Sequence, residues 1–101
     1  MFYRMAISKV TDGNEGEFHR TQSEMNKILE DYGVEVLGYY YCKENNTVYC
    51  PANWGSKERL VEIARELQKN NEFMHLYNKS HELSEQTELR EVENYPQDYI
   101  F

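Results

Sequence analysis

The chain has 101 residues, 40% of them hydrophobic and 29% charged, and a formal net charge of -7. That length suits one domain, residues 1-101, with one core. The acidity argues against nucleic acid and anionic membrane surfaces as partners, because no basic stripe interrupts it.

No apolar run in Met1 to Ile7 is long enough for a signal peptide, and no stretch approaches a membrane span. A cytoplasmic location is expected. Two cysteines without CxxC spacing fit reduced, buried thiols. Nine residues are tyrosines. Tyrosine joins large apolar area to a polar tip, which suits pocket walls and subunit interfaces as well as a thin core.

Phe2 to Val10 reads as a strand that is apolar at both parities, with Phe2, Ala6 and Val10 on one side and Tyr3, Met5 and Ile7 on the other. Such a strand is covered on both faces. Asn14 and Glu17 have capping-box spacing at the head of a helix running to about Tyr32. Gly33 is placed to end that helix in the left-handed conformation. Val34 to Lys43 is a second strand and Val48 to Trp54 a third, joined by a hairpin whose Asn45-Asn46 tolerates positive φ.

With those two asparagines as the loop, Tyr41 faces Cys50, Tyr39 faces Ala52 and Leu37 faces Trp54. One sheet face then carries Leu37, Tyr39, Tyr41, Val48, Cys50, Ala52 and Trp54. The other carries Val34, Val36, Gly38, Tyr40, Cys42, Tyr49, Pro51 and Asn53. Cys42 and Cys50 point to opposite faces, which disfavours a disulfide. Pro51 cannot donate to a ladder and favours an edge or a bulge.

Ser56 caps a second helix, which runs to about Lys69 with Leu60, Ile63, Ala64 and Leu67 as its buried stripe. Asn70-Asn71 breaks it, and a short helix follows to about Asn78. Thr87 to about Asn94 is a polar last strand. The aromatic tail, Tyr95 to Phe101, is expected to pack on the domain or on a partner.

The order strand, helix, strand, strand, helix, strand is the α+β, ferredoxin-like split βαββαβ arrangement with an antiparallel sheet. Helices cover one sheet face. An apolar second face needs its own cover, and a second copy supplies it most simply, making a homodimer.

Trp54-Gly55-Ser56-Lys57, followed by Asn70-Asn71-Glu72-Phe73, resembles the second half of the antibiotic-biosynthesis-monooxygenase-like proteins. In these, a tryptophan ends the third strand, a Ser- or Lys-containing helix start follows, and then a turn leading to Phe. The resemblance implies a dimeric α/β barrel. It further implies an oxidoreductase of the cofactor-independent monooxygenase type, acting on a small aromatic or polyketide-like compound without metal or flavin. The haem-degrading branch uses an Asn on the first strand, which Phe2 to Ser8 lacks, and this departure argues against haem degradation.

In such a site the protein positions the substrate, removes a proton and stabilises an enolate. Trp54, Tyr39 and Tyr41 are the candidate substrate-binding residues, His75 the candidate base and Asn53 the candidate oxyanion donor. Each has a plainer reading. Trp54 could lock strand to helix, His75 could face solvent, and the tyrosines could pack an interface. His81 reads as surface and His19 as helix flank. Whichever sheet face meets the helices lines the pocket. The competing functional class is a non-catalytic dimeric ligand-binding or stress-response protein of the same fold. A third reading is an interaction module whose sheet and tail bind partners.

Overall fold

The computed structural model describes residues 1–93. The tail from Tyr95 to Phe101 lies outside the described residues.

The elements are β1 (Tyr3–Val10), α1 (Glu15–Asp31), β2 (Glu35–Val36), β3 (Tyr40–Cys42), β4 (Thr47–Asn53), α2 (Lys57–Gln68), α3 (Asn71–Glu82) and β5 (Ser84–Val92). β1 is central and pairs antiparallel with β4 on one side and β5 on the other. Both β2 and β3 pair antiparallel with β4. Taking β2 and β3 as one interrupted strand, this is the ferredoxin-like α+β order, with the helices packed on one face of the sheet.

Local chemistry accounts for the helix ends. The Ser56 side chain accepts a hydrogen bond from Arg59 N at 3.0 Å and so caps α2. Asn70 does the same for α3 through Phe73 N. At α1 the expected capping box does not form, because the Asn14 amide turns away to donate to Thr11 Oγ1. The other end of α1 closes on Gly33, at φ +88. Gly33 N donates to the Glu30 carbonyl and Val34 N to the Leu29 carbonyl, the paired bonds of a Schellman motif.

The expected second strand is broken in two, and the break changes which way its first half faces. Val36 pairs with Ala52, so it lies on the helix side, opposite to its expected face. Leu37 continues that register, donating through its backbone to the Pro51 carbonyl, and lies on the open side. Beyond the break, Tyr40 pairs with Tyr49 and Tyr41 with Val48. This register differs by two residues from one with a two-residue loop. A shift of two keeps each side chain on its face, so Tyr39 and Tyr41 do share the helix side with Val48, Cys50 and Ala52.

Pro51 explains the break. The N and O of one strand residue point to the same side, so the donor that Pro51 lacks is missing toward β2 and β3, at the interruption. The bulge expected of Pro51 is therefore found in its partner strand.

The buried apolar side chains form two clusters. One joins Met25, Val34, Ala52, Ile63, Leu67, Phe73 and Leu76, with Trp54 packed against it. The other, near the far end of β1, joins Val10, Phe18, Val48 and Leu83, with Tyr39 packed against it.

A Gly33→Ala substitution should destabilise the fold by about 1 kcal/mol, because the left-handed conformation then carries a Cβ. The shift should appear in the urea midpoint with an unchanged denaturant slope.

Candidate functional site

A cleft of about 500 Å³ lies between the helix side of the sheet and the helices. Its floor comes from β1 and β4, where Ala6, Ser8, Cys50 and Ala52 present small side chains. Small residues cannot fill the space under a helix, so the sheet and helices stand apart between the two core clusters.

The wall comes from α3. Phe73, Tyr77 and His81 are four residues apart, so they stack along one helix face. Phe73 and Tyr77 have ring centroids 6.2 Å apart, and His81 meets Tyr77 edge-on at 4.5 Å. Trp54 forms a further part of the lining with Met25, Leu29 and Met74. Leu89 on the edge strand β5 is 53% exposed and also lines the cleft, so the cleft opens along that edge.

Some of the polar groups inside are engaged within the protein. Gln22 donates to the Asn26 carbonyl oxygen at 3.1 Å, and Asn26 donates to Cys50 Sγ at 3.7 Å. Ser80 Oγ donates to the Tyr77 carbonyl at 2.7 Å. Burial pushes the Cys50 thiol up from its ordinary value, and the Asn26 hydrogen bond offsets part of that. Cys50 is thus a neutral thiol at physiological pH and a poor nucleophile. Cys42 and Cys50 are both free.

The five residues singled out from the sequence are not brought together. Trp54 is on the cleft wall. Tyr39 and Tyr41 are on the helix side of the sheet but outside the cleft lining, around His19 on α1. The Tyr39 hydroxyl lies 2.7 Å from His19 Nδ1, a hydrogen bond whose direction follows the imidazole tautomer. Asn53 is on the opposite face, where its side-chain oxygen accepts from Phe2 N and Gly55 N and fastens the head of β1 to the turn after β4. His75 is exposed and outside the lining. The histidine that borders the cleft is His81, which reads as surface from the sequence. Helical geometry supplies the reason. His75 stands about 200° around α3 from Phe73, whereas His81 stands within about 80°.

No three His, Cys, Asp or Glu side chains converge as a metal site among the described residues. None of the described helices is long and apolar enough to cross a membrane.

No family model and no curated protein matches the sequence. Solved structures do match in shape. An uncharacterized NIPSNAP domain protein from Burkholderia xenovorans superposes with a TM-score of 0.80 at 14% identity, covering 94% of this chain and 95% of that one. An antibiotic biosynthesis monooxygenase gives 0.74 at 11% identity, covering 95% and 100%. A dimeric ferredoxin-like protein from an uncultured marine organism gives 0.64 at 17% identity, covering 94% and 90%. At such identities the likeness is one of fold. It establishes the ferredoxin-like architecture that antibiotic-biosynthesis-monooxygenase-like proteins share.

Burial holds the Tyr39 hydroxyl well above the usual phenol range, with Cys50 adding a smaller push. The folded state therefore keeps a proton that the unfolded chain releases above about pH 10. Stability from this group is complete below that pH and is lost as pH rises through the phenol range. Cys50, also raised, contributes with the same sign from about pH 8.5. Urea unfolding between pH 7 and 11 should show stability falling on the alkaline side. Tyr39→Phe should cost about 1 kcal/mol at pH 7 through the lost His19 bond and flatten the fall above pH 10.

Proposed function

We propose that this protein binds a small, largely apolar molecule in the cleft between sheet and helices, and that it does so as a homodimer joined through the open sheet face. The observation that carries the binding reading is the cleft itself. A space of about 500 Å³ is in the range of ligand pockets, and its lining is mostly apolar and aromatic with a few placed polar groups. Packing interiors to normal density would remove such a space, so its persistence between two core clusters supports a ligand.

The open face supports the dimer. Tyr3, Met5 and Ile7 of β1 alternate with the helix-side row and lie beside Tyr49 and Pro51 of β4. Tyr40 in β3 is 60% exposed and Leu37 is 44% exposed. Toward β5 the same face turns polar, with Glu88 and Arg90 paired at 2.8 Å. An apolar centre with a charged border suits an interface between copies.

A second reading, cofactor-independent oxygenation of a small aromatic or polyketide-like compound, draws support from the monooxygenase of the same fold and from two residues. Trp54 would wall an aromatic substrate. His81 would remove its proton, since His75 faces away.

Naphthol, as a small aromatic probe, should raise the melting temperature. At ten times its Kd the stabilisation is about 1.4 kcal/mol, a shift of several degrees. Ala6→Phe, which fills the floor, should abolish it; an unchanged shift in that variant would place binding elsewhere. Oxygen uptake separates the two readings. A rate with hydroquinones or anthrones above the protein-free control, lost in His81→Ala, is expected of an oxygenase, and no rate leaves binding alone.

Light scattering should give twice the 12.1 kDa chain mass. Ile7→Glu, on the open face, should halve that mass while leaving the naphthol shift in place.

A further inference from the structure

We infer that the cleft selects an organic anion, an apolar body bearing one carboxylate, sulfonate or comparable group, with Arg4 as its counter-ion. The inference deepens the binding reading above and rests on it.

The charge distribution carries it. The chain has 18 Asp and Glu residues against 11 Lys and Arg. Among the described residues, no Asp or Glu lines the cleft, and the lining includes one full cation, Arg4. An acidic protein thus has a cleft whose charge has the opposite sign to its exterior.

Arg4 sits in β1 with its side chain on the helix side, two positions before Ala6 and directly across from Ala52 in β4. It is half-buried. A guanidinium in that position ordinarily finds a carboxylate, because a partly desolvated cation is costly without one. Here it makes no hydrogen bond or ion pair with the described residues. Its cross-strand neighbour in β5, Glu91, is in register and on the same side, yet exposed and not within ion-pairing distance. Three other polar groups of the lining are already engaged within the protein. Gln22, Asn26 and Ser80 are engaged with one another, with Cys50 or with backbone carbonyls. His81 has its ring against Tyr77 and, like Ser8, Gln68 and Thr87 of the lining, carries a donor that an anion can accept from.

The geometry of the guanidinium narrows the ligand further. Its five donors form a planar fork that matches a carboxylate or sulfonate through two parallel hydrogen bonds. The space beyond it is apolar and lined by the aromatic ladder of α3. A ligand that uses both regions has one anionic end and a planar or acyl body.

The test uses two fluorescent probes of nearly the same shape, anilinonaphthalene sulfonate and the uncharged phenylnaphthylamine, titrated against the full-length protein. Wild type should bind the sulfonate more tightly than its neutral counterpart. Arg4→Gln should weaken the sulfonate by about tenfold or more and leave the neutral probe unchanged, as expected for loss of a charge-assisted contact. Glu91→Gln should leave the sulfonate as tight or tighter. Ala6→Phe should release both probes, which places them in the cleft. Circular dichroism confirms that each variant is folded.

Equal affinity of the two probes for wild type overturns the anion inference and leaves the cleft as a binding site. So does an equal loss of both in folded Arg4→Gln. If wild type binds neither probe, or Ala6→Phe still binds both, the cleft reading itself fails and the anion inference fails with it.

Discussion

The double pairing of β1 is the constraint on which the rest of this molecule depends. Hydrogen-bonded to β4 on one side and β5 on the other, the strand cannot rotate or slip without breaking two ladders. Its alternate residues are therefore committed to opposite tasks. Arg4, Ala6 and Ser8 face the helices and form the floor of the cleft. Tyr3, Met5 and Ile7 face away and form the centre of the open face. A slip of one residue would put isoleucine and tyrosine under the helices, close the cleft and expose arginine and serine outside.

The two ends of the sheet tolerate that arrangement because each has its own packed cluster. At one end Phe18, Val10 and Val48 are almost fully buried, and at the other α2 and α3 pack Ile63, Leu67, Phe73 and Leu76 over Val34 and Ala52. Apolar burial contributes about 25 cal/mol for each Å² removed from water, so a larger apolar side chain at Ala6, reaching into the cleft, would bury more area and stabilise the fold. The chain forgoes that gain. A gap of this size between well-packed clusters is the kind of stability sacrifice that function explains better than folding does.

Much of this was legible in the residues. Ser56 and Gly33 marked helix ends because capping needs a hydroxyl oxygen or a left-handed turn at one position, and few residue types supply either. The partition of Tyr39, Tyr41, Cys50 and Ala52 onto one face survived an error in the loop length, since an even shift preserves parity. Parity failed before the interruption, at Val34 to Leu37, all of which lie on the face opposite to the expected one. The cause, Pro51, lies in the partner strand, and local periodicity does not show a neighbour's missing donor. The length of α3 was hidden in a similar way. Residues 79–82 are polar enough to pass for a loop, and ending the helix at Asn78 removed His81 from the helix face that borders the cleft. With the helix running to Glu82, the spacing of Phe73, Tyr77 and His81 would have identified the wall and set His75 aside. The row Arg4, Ala6 and Ser8 was the available signal for a cleft floor, one small residue following another on a face that elsewhere carries bulk.

An acidic protein that holds an anion looks contradictory until the distances are considered. At physiological ionic strength the field of an exposed carboxylate fades over about 8 Å. The acidic residues of the helices stand on their outer faces and contribute solubility more than potential inside the cleft. Arg4 acts at contact distance, in a space with less water to screen it, where the same charge is worth several times more. A general negative exterior slows the approach of an anionic ligand but does not cancel a local cation, and it also discourages polyanions such as nucleic acid that a basic surface would gather. Selectivity for a small acid then follows from the placement of one arginine on the central strand, facing inward, with no carboxylate beside it in the cleft lining.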